Sequence, residues 1–267
     1  MTTPLPAATD LVLDFLSTAR GGRMSAQDLC RAGVIMGLAE PVVRVALTRL
    51  ARQEKIRKTE RGVYAFHPAY RPLYEDVGHW RERLGWMAPW KGGWIGVQDA
   101  GLSGGERTIA RRHQRALALR GFRTWKPGLQ LRPDNLKGGV AAMRAQLAEL
   151  GLRTEADVFA VSGLDRAQAQ AVQGLWNAAA LKAGYAAELK RLTASERRLA
   201  RLGPEAAARE GLLVGRQVIA QIVRDPLLPE EILGGNERGR LVAAMTAYQT
   251  RSLKVWASVL GSRDLIG

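Results

Sequence analysis

Apolar positions recur at helical spacing in three short runs between residues 9 and 52, and the pattern then switches to that of short strands. The first run extends from about Asp10 to Ala19 and ends at Gly21-Gly22. The second opens on Ser25-x-x-Asp28, a capping-box pattern whose side chains satisfy free amides at a helix start, and closes near Gly33. The third carries Pro41 in its first turn, where proline is tolerated. At 100° per residue, Val43, Ala46, Leu47 and Leu50 share one face of this third helix. Val45, Thr48 and Arg52 point the opposite way, with Arg44 and Arg49 on the flanks. "KIRKTERGVYAF" then reads as two strands around a turn containing Arg61-Gly62, and a linker with Pro68, Pro72 and Gly78 follows.

Residues 90–165 read as strand, helix, two strands, helix, strand. "GGWIGVQ" is a β run, and "ERTIARRHQRALALR" is a helix stopped by Gly121. "FRTW" and "LQLR" flank the turn Lys126-Pro127-Gly128, "GGVAAMRAQLAEL" is the second helix, and "DVFAVSGL" is the last strand. This βαββαβ order is the split-βαβ, ferredoxin-like pattern. From about residue 166 the periodicity is helical. "QAVQGLWNAAALKAGYAAELKRL" reads as one long amphipathic helix, and a second runs from Pro204 to Arg224. "DPLLPEEILGG" interrupts the pattern, and a final helix sets Leu241, Met245, Tyr248, Val255 and Val259 on one side. The expectation is an α+β chain: residues 1–70 a winged helix-turn-helix, 71–89 a linker, 90–165 a ferredoxin-like domain, and 166–267 an all-helical domain serving dimerisation, effector binding or both.

Charge changes the picture. The 40 Lys and Arg outnumber the 25 Asp and Glu, giving a net charge of +15, and 32 of the cations are arginine. The excess is spread over all three zones and comes from no basic tail. It suits a polyanionic partner, because the arginine fork holds two phosphate oxygens at once; a GC-rich genome gives the same bias without a function. The single cysteine, Cys30, allows no intrachain disulfide and sits on an apolar helix face as a small core residue. The N-terminus lacks the basic segment of a signal peptide, and no window holds 18 consecutive apolar residues, so a cytoplasmic location without membrane contact is expected.

Three helices followed by a hairpin make a winged helix-turn-helix, in which the third helix enters the major groove of double-stranded DNA. Arg44 and Arg49 can then bond guanine edges or phosphates, Thr48 can contact either, and Val45 can pack on a thymine methyl; Arg52 lies on the same outward side. Arg57, Lys58 and Arg61 lie on or near the wing, where they meet phosphate or a minor groove. The bland reading of the same residues is a solvated helix and an exposed hairpin.

Other chemistry is thin. "GLSGG" satisfies G-x-S-x-G between a strand and a helix, but of His67, His79 and His113 only the last follows Ser103, so the order Ser, acid, His of the hydrolases is absent. His113 reads as a packed interior histidine. Arg107, Arg111 and Arg115 form an i, i+4, i+8 stripe that is either solvated surface or a contact for a phosphate-bearing ligand or a protein. Asp99, near the end of the first β run, invites a metal-dependent nuclease reading, although a turn aspartate explains it as well. No zinc spacing and no phosphate-binding glycine loop is present, so no cofactor is expected.

"VVRVALTRLARQEKIRKTERGVYAF", "GGWIGV", "GFRTWKPGLQLRP" and "RDPLLPEEIL", in this order across nearly the full length, resemble the PaaX family of bacterial transcriptional repressors, which control aerobic phenylacetate catabolism. The resemblance implies a winged helix, a central domain similar to the Cas2 fold and a helical C-terminal domain. It also implies a homodimer on a palindromic operator, released by an aryl-CoA thioester such as phenylacetyl-CoA, and no enzymatic activity. A CoA ligand carries phosphates and an adenine, which makes Arg111, Arg115, Trp176, Tyr185 and Arg224 its candidate contacts. After the Asp-Pro-x-Leu-Pro segment this chain has "LGGNERGRLVAA" where family members tend to have a Trp-Pro-Gly-like element. That departure opens the alternative of a regulator answering to a different acyl-CoA.

Overall fold

The computed structural model describes residues 5–99 and 107–261. Its elements in chain order are α1 (Ala8–Thr18), β1 (Arg23–Ser25), α2 (Ala26–Ile35), α3 (Glu40–Arg52), β2 (Ile56–Glu60), β3 (Val63–Phe66) and α4 (Arg71–Gly78). Then come β4 (Trp94–Gln98), α5 (Arg107–Leu119), β5 (Arg123–Lys126), β6 (Leu129–Pro133), α6 (Gly139–Leu150) and β7 (Asp157–Val161). The remainder is helical: α7 (Arg166–Gln173), α8 (Ala178–Leu199), α9 (Pro204–Val223), α10 (Glu230–Leu233) and α11 (Glu237–Leu260). The fold class is α+β, with two small antiparallel sheets and a helical C-terminal part. No described helix is long and apolar enough to cross a membrane.

The chain divides into two compact units that are not contiguous in sequence. The first comprises residues 1–80, 187–220 and 240–267, and the second residues 81–186 and 221–239.

In the first unit, α1, α2 and α3 surround a core of Leu11, Phe15, Leu16, Leu29, Val43, Leu47 and Leu50, roofed by a three-stranded sheet of order β1-β3-β2. Ser25 caps α2 by accepting from the Asp28 amide at 3.0 Å. The helix runs through Gly33 to Ile35 and turns at Gly37, φ +83°. Gly33 is a packing position rather than a stop, since a Cβ there would meet Val43 Cγ2 at 2.4 Å. The helices from the C-terminal part complete this core. Ala208, Trp256, Ala257 and Leu260 belong to it, with Phe15 and Trp256 edge-to-face at 4.8 Å. Arg31 donates to the Leu260 carbonyl at 2.6 Å, and Arg209 donates twice to that of Ile35. The stretch read as a linker is largely helical: Tyr74 of α4 stacks on Phe66 at 4.1 Å, and Trp80 is buried.

In the second unit the four strands align in the order β5-β6-β4-β7, all neighbours antiparallel. Gly96 lies in the centre of β4 because Phe159 and Val161 cover it; a Cβ would meet both near 3.0 Å. The long helix expected over 170–192 is two helices. Trp176 is drawn into the core, where its indole donates to the Gly121 carbonyl at 3.1 Å and its ring stacks on Trp94. Asn177 then caps the next helix by accepting from the Ala180 amide at 2.9 Å.

Candidate nucleic-acid interface

The outward face of α3 follows directly from its amphipathic spacing. Val43, Ala46, Leu47 and Leu50 are buried, while Arg44, Val45, Thr48, Arg49 and Arg52 are exposed. Val45, at 67%, is the most exposed of the large apolar residues described, and Val42 and Val34 are also exposed. Val42, Val45 and Arg49 stand at i, i+3 and i+7, one stripe along the helix. The two valines make this side of the helix partly apolar, beside the Arg44 and Arg49 cations. Arg44 is held along the helix by Glu40, with Nε and Nη2 2.8 and 2.6 Å from the same carboxylate oxygen. The Thr48 hydroxyl donates to the Arg44 carbonyl at 3.2 Å. These two groups are locally pre-positioned, whereas the Arg49 and Arg52 side chains are exposed on the same helix. Burial pushes the Cys30 thiol up, consistent with its place in the core beneath α3.

The hairpin divides its cations. Lys58 and Arg61 are exposed at and near its tip. Arg57 pairs across the sheet with Ala65, and Arg23 of β1 pairs with the same Ala65 from the other side. Directly opposed residues share a face, so Arg23, Ala65 and Arg57 form one row. That row lies on the sheet face away from buried Met24 and Ile56, and it lines a hollow that also reaches Phe66 at the end of β3. Arg23 carried no sequence signal, because β1 has only three residues and no alternating pattern.

In the second unit, His113 is 4% exposed and its Nε2 lies 2.9 Å from Asp99 Oδ2. Its Nδ1 accepts the Arg153 amide at 3.3 Å, so the ring carries its proton on Nε2 and donates to Asp99. Both ring nitrogens are occupied by structure, and the carboxylate that a nuclease reading would turn toward a metal faces the histidine instead. Among the described residues no group of three or more His, Cys, Asp or Glu side chains is placed to hold a metal ion. Ser103 and its G-x-S-x-G motif lie outside the described residues.

The residues proposed for a CoA ligand do not form one cluster of free groups. Arg111 and Arg115 are exposed along α5, and Arg224 is exposed after α9. Trp176 is spent on Gly121 and Trp94. Tyr185 is buried and donates to Asp225 Oδ2 at 2.5 Å, and burial together with that carboxylate pushes its phenol well above the ordinary value. Asp225 also accepts the Leu227 amide at 2.7 Å, holding Leu227 at φ +52°. Arg132 is fully buried, donating to Arg120 and Pro133 carbonyls and to Asn135. Desolvation and the neighbouring Arg120 and Arg83 pull its pKa down. Asn135 in turn donates to the Leu227 carbonyl at 2.7 Å. Gly121, φ +74°, abuts Pro226, where a Cβ would come within 2.6 Å of backbone. The segments "GGWIGV", "GFRTWKPGLQLRP" and "RDPLLP" thus meet in one core.

No protein-family model matches the chain, and no curated protein matches it. Among solved structures, an uncharacterized protein from Mycobacterium tuberculosis, Rv0674, is similar in fold at a TM-score of 0.57 and 20% identity. The match covers 96% of this chain and 99% of that one.

Proposed function

We propose that the chain is a ligand-responsive DNA-binding repressor of the PaaX type. In this reading α1–α3 with β1–β3 form a winged helix-turn-helix, and the β4–β7 unit is ferredoxin-like, similar to Cas2. The carrying observation is α3: four apolar residues buried, five residues able to read DNA exposed on the other side, and two cations at the adjoining hairpin tip. Arg49, Arg44 and Thr48 contact base edges or phosphates, Val45 meets a thymine methyl, and Arg52 with Lys58 and Arg61 engages phosphate. Arg57, turned toward the hollow, is set apart from that surface. Support for the central domain comes from the strand order β5-β6-β4-β7 around two helices. A homodimer presents two α3 helices about 34–36 Å apart, one duplex turn, or a multiple of that, and a palindromic operator matches it. The effector proposed by the resemblance is an acyl-CoA thioester, phenylacetyl-CoA or a relative.

The test is a gel shift on the intergenic DNA upstream of the gene, repeated with a panel of acyl-CoA thioesters. Specific retention is expected, released by one of the thioesters. Arg44→Ala combined with Arg49→Ala is expected to abolish specific retention while leaving the circular dichroism spectrum unchanged. Unaltered affinity of that double variant for the retained fragment removes the reading.

A further inference from the structure

The hollow at the three-stranded sheet of the first unit, beside α4, has a volume of about 570 Å³, within the range of small-molecule sites. Its floor is the cross-strand row Arg23, Ala65, Arg57. Phe66 and Tyr74 form an apolar wall, and Glu75 and His79 stand opposite, on and just beyond α4. The centre of the row is an alanine, whose short side chain leaves room above β3, and Arg23 reaches across that strand to Glu60 of β2. Gly21, with φ +67°, leaves open space at the rim. Phe66 and Tyr74 stack at 4.1 Å with 13° between their planes, which preforms a flat apolar surface beside the cations.

We infer that this hollow binds a small molecule carrying a phosphate monoester on a flat apolar body, a site distinct from the DNA-reading face and independent of it. Adjacent strands are about 5 Å apart, so Arg23 and Arg57 emerge about 10 Å from each other with Ala65 midway. An anion centred above Ala65 lies within the span of both side chains. Two cations approaching from opposite sides need acceptor oxygens on both sides. A tetrahedral phosphate presents them, whereas a planar carboxylate turns both oxygens one way. Without ligand, Arg23 pairs with Glu60 at 3.5 Å across exposed side chains, an ion pair of small worth that a phosphate readily displaces. The apolar wall accounts for the rest of the molecule.

The experiment is a titration of the full chain followed by NMR, observing the Ala65 methyl and the His79 ring, with phenyl phosphate, inorganic phosphate and benzoate as separate probes. Phenyl phosphate is expected to shift both signals saturably, and to bind about tenfold more tightly than either of the other two, which each lack one half of the recognised chemistry. Arg23→Ala and Arg57→Ala, both at exposed positions, are each expected to weaken phenyl phosphate about five- to tenfold. Ala65→Leu keeps both arginines and fills the space between them, so it is expected to abolish binding. No saturable shift, or a His79 shift that Ala65→Leu leaves unchanged, overturns the proposal. So does equal binding of benzoate and phenyl phosphate, and so does an occupant that proves to be DNA, seen as Ala65 and His79 shifts with duplex but not with phenyl phosphate. DNA retention by the α3 face is measured separately, so the two readings fail independently.

Discussion

Val45 illustrates how a single exposed residue acquires meaning from its neighbours. Alone it is an ordinary surface valine, but it stands in one stripe with Val42 and Arg49 on a helix whose opposite side is fully buried. If the stripe meets thymine methyls, replacing thymine by uracil in a retained DNA fragment removes a methyl contact worth about 0.8 kcal/mol, or about fourfold in affinity. The expected result is that Val45→Ala loses affinity for the thymine form and no longer distinguishes it from uracil, measured by fluorescence anisotropy. Gly121 makes a stability statement of the same scale. A Cβ there would strain a left-handed backbone and meet Pro226 at 2.6–2.8 Å. Gly121→Ala is therefore expected to destabilise the second unit by more than the ~1–2 kcal/mol of backbone strain alone, read from denaturant unfolding. Asp14 links stability to pH. Burial raises its carboxyl to about 7 from 3.8, outweighing Arg216, whose Nε lies 2.5 Å away, with Asp10 adding to the rise. A carboxyl whose folded pKa lies above its unfolded one destabilises the ionised fold. Its contribution is therefore most favourable below about pH 4 and is lost as pH rises toward 7. Asp14→Asn should flatten that part of the melting-temperature profile between pH 4 and 8, compared with the unaltered chain.

At the scale of elements, local rules account for most boundaries, and tertiary contacts account for the exceptions. The Ser25 cap and the Arg61-Gly62 turn are visible in sequence because each is completed by residues within three or four positions. Gly33 misleads as a helix end because its purpose, admitting Val43, depends on a neighbouring helix. The continuous periodicity of residues 170–192 conceals a break for the same kind of reason: Trp176 bonds Gly121, 55 residues away. The hairpin is where element geometry separates roles. Lys58 and Arg61 at its tip are expected to behave as phosphate contacts: each changed to alanine should weaken binding on all DNA sequences alike and lower the salt slope by about one unit. Arg57→Ala, facing the hollow, should leave that slope unchanged.

Over the whole molecule, the return of the chain end to its beginning has a direct consequence. A fragment ending at residue 80 lacks Ala208, Trp256, Ala257 and Leu260, which share the core of α1–α3. Such a fragment is expected to be molten, with retained far-ultraviolet but weakened near-ultraviolet circular dichroism and strong dye binding. In the intact chain, Trp256→Ala should cost about 3–5 kcal/mol, because it opens a cavity against Phe15. The buried positions of the second unit follow the same logic. The segments that carry the family resemblance are brought together as interlocking core, with Asp225, Asn135 and Arg132 bonding the turn around Leu227.

Helices α1–α3, the β2–β3 hairpin, the two faces of α3, the βαββαβ element order and the single core cysteine were legible in the sequence, because each depends on periodicity or on contacts within a turn or two; β1, α4 and the break before α8 were not. Which helices complete the first core, that His113 and Asp99 hold each other, and that Arg23 and Arg57 line one hollow across Ala65 come from the folded chain alone. Those facts arise from residues tens to hundreds of positions apart. Their encounter depends on strand register and helix packing, which no local pattern encodes.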